Sequence, residues 1–381
     1  MAIAITSQPD YLQPVKSVQE FTLYDSANFA EAGFYYQLDV SIAGETRTLK
    51  TLKDSTNKST IDVQTILQAF FESEFRTYED TSTNLWISYP DFIQDYQVRA
   101  SSVWTTSSSV GSWITAKKVF NGVDRYNNTW DASLYEFRTD SSGLWLTSDH
   151  SDRDIHLEDR SYLFGIFGAN GSVDSSFNGI TFVRYQNNGD TSTYTWPQSI
   201  ASASPIPFTV QVDPSIINYR NGSEFISADT NYFTVTESTG LSETIRYNLV
   251  TEDSRYDRYY RIQYVDSLGA TCAFNFDLVP ENNIGISKTT YVNDRTLRTF
   301  GTKVNDNYVA RCNWICDAKS KALKDLWHTP KAGLVKETYG TEPDPIIITE
   351  TSKAILNRHN VGLINYTINF TMADEYSVQE Q

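Results

Sequence analysis

Apolar and polar residues alternate along most of this chain. From Gly33 to Gly44, GFYYQLDVSIAG places Phe34, Tyr36, Leu38, Val40 and Ile42 at every second position. Alternation with period two buries one face of a strand, and the closing glycine marks a turn. TRTLKTL then supplies a return strand. DFIQDYQVRASSVW and SWITAKKVFNGVDRY continue the pattern, the second ending in an Asn-Gly turn signal. Tyr162 to Phe167 reads as a buried strand, and GITFVRYQNNGDTSTYTW as a hairpin turning near Asn188-Gly189.

Two stretches carry the helical period instead. In STIDVQTILQAFFESEF, residues Val63, Ile66, Leu67, Phe70 and Phe71 fall on one helical face, and Ser59 with Asp62 resembles a capping box. The spacing predicts a helix near 62–75. After Cys316, Ala318, Ala322, Leu323, Leu326 and Trp327 share a face, Asp317 is placed to cap, and Pro330 ends the run. That predicts a helix near 318–328.

ASASPIP, Ala201 to Pro207, is small, polar and proline-bearing, which makes it the expected linker. The strand pattern restarts beyond it and closes with PIIITETS and GLINYTINFTMADEY. The expected fold class is therefore mainly β. It comprises two β-sandwich-like modules, 1–204 and 205–381, each with one short amphipathic helix packed on a sheet. RIQYVDSLGATCAFNF, Arg261 to Phe276, reads as a hairpin whose turn is DSLGA, with Asp266 and Ser267 as ordinary turn residues.

Composition agrees with a β-rich chain. The 381 residues include 24 Tyr and 20 Phe but only two Met, and aromatic residues favour pleated, half-buried surfaces. A net charge of −16 argues against a nucleic-acid groove, which needs clustered Lys and Arg. No apolar run approaches the ~18 residues of a membrane span. MAIAITSQPDYLQPVKSV lacks the basic and apolar regions of a signal peptide. Three cysteines, Cys272, Cys312 and Cys316, are too few for a disulfide framework, and CNWIC has no partner pair for zinc.

Motifs for catalysis are missing: GxSxG, a P-loop, GxGxxG after a strand and HExxH do not occur. No catalytic residue and no cofactor is expected. The densest polar cluster is SDHSDRDIHLEDR, Ser148 to Arg160. Asp149, Asp152, Asp154 and His156 are its candidate metal ligands. Arg153 and Arg160 stand within the same run, which favours a self-paired charged loop. Trp86, Trp104, Trp113, Trp130 and Trp145 all lie in the first half and are candidates for stacking on sugars.

Several pieces, taken in order, resemble a family of structural proteins of tailed bacteriophages that infect Bacteroidota, including crAss-like and Flavobacterium phages. They are the Gln8-Pro9 segment before FYYQLDVSIAG, then IDVQTILQAFFESEF, then LWLTSDHSDRDIHLEDRSYLFGIFG. The second half adds YYRIQYVDSLGATCAFNF, NWICDAKSKALKDLWHTP and the ending PIIIT to INYTINFTMADEY. The resemblance spans most of the chain and rests on core and turn positions, so it carries over no catalytic residue. It implies a non-enzymatic virion protein of the tail, baseplate or neck, a ring or adaptor subunit assembled in the host cytoplasm. Its partners would be copies of itself in a ring and other tail or neck proteins, with no nucleic acid and no membrane insertion. The alternatives are a receptor- or carbohydrate-binding protein at the tail tip and, more distantly, a tail-borne glycan hydrolase.

Overall fold

A computed structural model describes residues 3–75, 85–114, 116–123, 130–135, 143–167, 176–201, 205–250, 259–293, 296–335, 343–349, 356–358 and 363–373. The protein is mainly β. Sheets pack face to face as in β-sandwiches, and short helices lie against them.

The first sandwich follows directly from the alternation at Phe34 to Ile42, where all five alternating residues are buried. Strand Tyr35–Ile42 pairs antiparallel with Glu45–Thr51 on one side and Ile93–Trp104 on the other. The opposing sheet holds Ala4–Ser7, Glu20–Tyr24 and Lys58–Asp62. Phe21, Leu23, Tyr36, Leu38, Tyr96 and Leu67 share the core between them.

The helix expected near 62–75 is confined to Gln64–Gln68. Lys58–Asp62 is a strand in register with Glu20–Tyr24, so Ser59 is committed to a sheet and makes no cap. Asp62 instead accepts from the backbone N–H groups of Gln64 (2.9 Å) and Gln19 (3.1 Å). Of the expected helical face, Val63 and Leu67 are buried and the others are half-buried.

The second core is built from a five-stranded sheet and a three-stranded one. The larger runs Asp152–Ile155, Ile245–Leu249, Thr230–Glu237, Ser176–Gln186, Thr191–Ala201. The smaller is Ser161–Phe167, Ile206–Val212, Trp86–Ser88. Every residue of Ser161–Phe167 is buried, as a strand covered on both faces requires. A helix, Pro214–Asn221, packs here through Ile216 and Ile217. Asp213 caps its first turn, accepting from Ser215 N (2.8 Å) and Ile216 N (3.3 Å), and Gly222 ends it at φ +74°.

The boundary expected at 204 is not a gap in pairing. Residues 202–204 lie outside those described. Ser161–Phe167 pairs residue for residue with Ile206–Val212, and Ser176–Gln186 pairs with Thr230–Glu237. Segments on both sides of 204 thus share one core, containing Phe167, Phe182, Phe208 and Phe233. The small, proline-bearing composition of ASASPIP suits the entry to an adjoining strand as well as it suits a linker.

The third core centres on a seven-stranded antiparallel sheet. Its order is Thr271–Phe276, Tyr260–Val265, Ala332–Val335, Asp344–Ile348, Thr367–Met372, Thr296–Arg311, Glu281–Asn293. The helix expected near 318–328 is two, Asp317–Leu323 and Asp325–His328, with Cys316 rather than Asp317 at the first N-cap. Asp317 sits in the first turn and pairs with Lys321 at 2.7 Å. This core also recruits Leu12, Phe92, Phe120, Leu146 and Phe164, binding distant parts of the chain together.

The last two strands of that sheet form an arm. Thr296–Arg311 pairs with Thr367–Met372 only through Tyr308 to Arg311, whereas its pairing with Glu281–Asn293 extends from Val309 out to Thr296. The arm's base is fixed by a two-point Arg311–Glu281 contact, one bond of which is 3.0 Å, and by Tyr308 stacked on Phe370 at 5.2 Å. At ~3.4 Å per residue the part beyond Tyr308 is about 35 Å long.

Candidate functional site

A cleft of ≈ 1020 Å³ opens where the second and third cores meet, and the DSLGA turn forms part of its wall. The turn is a hairpin connection between Tyr260–Val265 and Thr271–Phe276, as the alternation predicts. Gly269 stands at φ +81°, and a Cβ there would lie 2.2 Å from the carbonyl oxygen of Asn121. Both the left-handed backbone and the close approach require glycine.

Asp266 is more than a turn residue. One carboxylate oxygen accepts from the N–H groups of Leu268 (2.9 Å) and Ala270 (2.8 Å) within the turn. The other accepts from Ser148 N (2.6 Å) and the Thr147 hydroxyl (3.1 Å), far away in sequence. Burial raises its pKa, and these bonds to the carboxylate oppose the rise. Asp325, at the start of the second short helix, accepts from Ser267 N (3.1 Å) and from the Ser148 hydroxyl. Two buried carboxylates thereby clamp the 147–148 loop to the hairpin. Cys272 lies beside Asp266, and burial followed by that neighbouring charge pushes its thiol well up, away from nucleophilic use.

The side chains of the charged run Ser148 to Arg160 are shared out among separate partners. Among the described residues no group of three His, Cys, Asp or Glu side chains is gathered to hold an ion. Asp149 meets Arg153 at 3.2 Å. Asp152 and Asp154 project from the strand Asp152–Ile155 and both accept from Asn248, while Asp154 also holds Lys319 at 2.8 Å. His156 is buried with its ring stacked on Tyr259 at 4.5 Å, and burial lowers its pKa. Asp152 and Asp154, two positions apart, share one face of that strand but are taken up by Asn248 and Lys319, while Asp149 and His156 lie outside the strand and meet other partners.

Beyond them lies a buried ion pair. Asp159 accepts from Arg261 (3.1 Å), Asn275 (2.8 Å), Tyr259 (3.1 Å) and its own loop at His156 N (3.0 Å). The guanidinium also donates to Asn275 (2.6 Å) and to the Arg160 carbonyl. Nearby, Arg160 meets the buried Asp213 at 2.9 Å, joining the same loop to the helix cap.

The five tryptophans are dispersed. Trp145 is buried and donates its indole N–H to the Glu243 carbonyl (3.2 Å). Trp86 stacks on Phe208 at 3.9 Å, and Trp104 packs on the first core. Trp113 is partly exposed under the Arg99 guanidinium, 4.7 Å from its ring centre. Trp130 alone of the five lines the cleft, with its indole N–H on the Leu12 carbonyl (2.7 Å) and its ring stacked on Tyr135 at 4.7 Å. Two neighbours in the wall escaped sequence reasoning. Glu243 has its pKa raised by burial and accepts from Trp145 N at 3.0 Å. Asp325 is the other, and its place beside Ser148 has no local sequence signal.

No protein-family model matches this chain, and no curated protein matches it. Among solved structures, the plexin A4 extracellular region aligns at 8% identity with a TM-score of 0.17, covering 99% of this chain and 37% of that one. A likeness so slight carries no argument about fold or function.

Proposed function

We propose that this protein is a non-enzymatic structural subunit of a bacteriophage tail, baseplate or neck, which docks neighbouring proteins of the virion. The supporting observation is the arm. Every described side chain from Asn282 to Tyr291 is exposed, including Ile284 at 61% and Ile286 at 61%. A two-stranded hairpin has marginal stability alone in water, and open edges with apolar side chains invite pairing with another chain. Such a projection suits a subunit whose partner covers it.

The cleft suits the same reading. Its buried carboxylates, Asp266 and Asp325, are engaged by backbone and hydroxyl donors that join two cores. They act as ties. The test is quantitative mass spectrometry of purified particles, counting this protein against the portal protein. A fixed copy number matching the tail's symmetry is expected, and absence from the particle overturns the proposal.

A second reading, a carbohydrate or receptor binder at the tail tip, has the Trp130–Tyr135 stack and the half-buried Glu243 of the cleft in its favour. Glycan-array binding that disappears in Trp130→Ala but survives in Trp113→Ala would select it.

A further inference from the structure

We infer that the occupant of the arm is a second copy of this chain, and that the arm seats on that copy's acidic body rather than on its arm. The inference rests on the assembly reading above and adds the partner and the polarity of the contact. The first argument is exposure. Beyond Tyr308 each strand of the arm pairs only with the other among the described strands. Ile284 and Ile286, two positions apart, place two exposed apolar side chains on one face of the arm.

The second argument is charge. From Asn282 to Asn307 the sequence carries Lys288, Arg295, Arg298 and Lys303 against Asp294 and Asp306. The arm is therefore net positive on a chain of net charge −16. The rest of any other copy is strongly net negative, so long-range attraction favours an encounter of arm with body. Two arms laid together would instead set cation against cation, which disfavours a symmetric arm-to-arm dimer.

Polarity follows from this. An arm on one copy and a body on the next are different surfaces, so the contact is heterologous. Such contacts repeat head to tail and close into rings or run on as filaments. Apolar contact at Ile284 and Ile286 supplies adhesion, and the charges supply orientation and salt sensitivity.

Native mass spectrometry and light scattering of the full-length protein, at low and high salt, test the inference. The wild type should form a species larger than a dimer at low salt and shift toward monomer at high salt. An Ile284→Asp/Ile286→Asp variant and a Lys288→Glu variant should both lose that species while keeping the wild-type circular dichroism and melting temperature. A wild type that stays monomeric at every concentration, or stops at a dimer, overturns the inference. So does an oligomer untouched by either variant. A monomeric protein that is nonetheless present in particles at fixed copy number leaves the assembly reading standing and transfers the arm to another virion protein. Absence from particles removes both.

Discussion

Two hairpins close the seven-stranded sheet, one at each edge, and they solve opposite problems. Tyr260 to Phe276 is folded inward. Its first strand is almost wholly buried, its turn is tied by Asp266, and its base is held by the Asp159–Arg261 pair. Glu281 to Arg311 is folded outward, fixed at the base by Arg311, Glu281 and Tyr308, with the described side chains from Asn282 to Tyr291 exposed. Both are antiparallel hairpins with period-two side chains. What differs is where their polar groups find partners: in the surrounding cores for the first, and beyond its base mainly within the hairpin itself for the second. A hairpin of the first kind joins cores, and one of the second kind reaches.

Breaking the inward hairpin should cost the most. Arg261→Met leaves Asp159 buried without its cation, and should lower unfolding free energy by about 3–5 kcal/mol. Chemical denaturation measures this, and a loss under about 1 kcal/mol would mean that Tyr259 and Asn275 suffice to hold the carboxylate. Next in size is Gly269→Ala. It forces a Cβ against the Asn121 carbonyl in a left-handed turn, for an expected loss of about 1–3 kcal/mol. A neutral result in the same experiment would show that the 121–123 segment yields freely.

Smaller effects come from pH. Burial lowers the pKa of His156, so the unfolded chain binds a proton more readily than the folded one. Stability should fall as pH drops through about 6.5, the unfolded value, and His156→Gln should flatten that part of the profile. Asp266 has the opposite sign. Its pKa is raised, so the folded state holds the proton longer, and its contribution declines as pH rises from the unfolded value near 3.8 through the folded one. Thermal melts across pH 4–8 in the wild type and each variant separate the two. The smallest effect on stability belongs to the outward hairpin. Ile284→Ser should change unfolding free energy by no more than about 0.5 kcal/mol, because the side chain is exposed; a large loss would mean that the arm packs on its own body.

Much of the inner architecture is written in local patterns. Phe34 to Ile42, Tyr162 to Phe167 and the turns at Asn188-Gly189 and DSLGA all form as their alternation and turn residues predict. The helix near 62–75 shrank because Lys58–Asp62 finds a partner strand about 40 residues earlier, and sheet pairing overrides a local capping pattern. Pro214–Asn221 carries a readable signature, with Asp213 before a proline and a glycine after Asn221, set among strand-like alternation on both sides. The arm was readable too, since NIGISKTTYVN alternates cleanly. The roles of Asp266 and Asp159 as ties were not, because the partners that join each to another segment are more than 90 residues away in sequence. The metal and sugar candidates failed to converge for a related reason: composition records which groups are present, and only long-range pairing decides which of them meet.

The position of Thr367–Met372 has a consequence for how the protein is made. This late strand lies in the middle of the seven-stranded sheet, between Asp344–Ile348 and Thr296–Arg311. Among the described residues it is the arm's only hydrogen-bonded link to the rest of that sheet. While the chain is emerging from the ribosome, the arm strands can pair with each other, but they have nothing to be anchored to until residue 372 is out. The arm therefore acquires its place in the sheet late, when the last strand inserts between two strands already made.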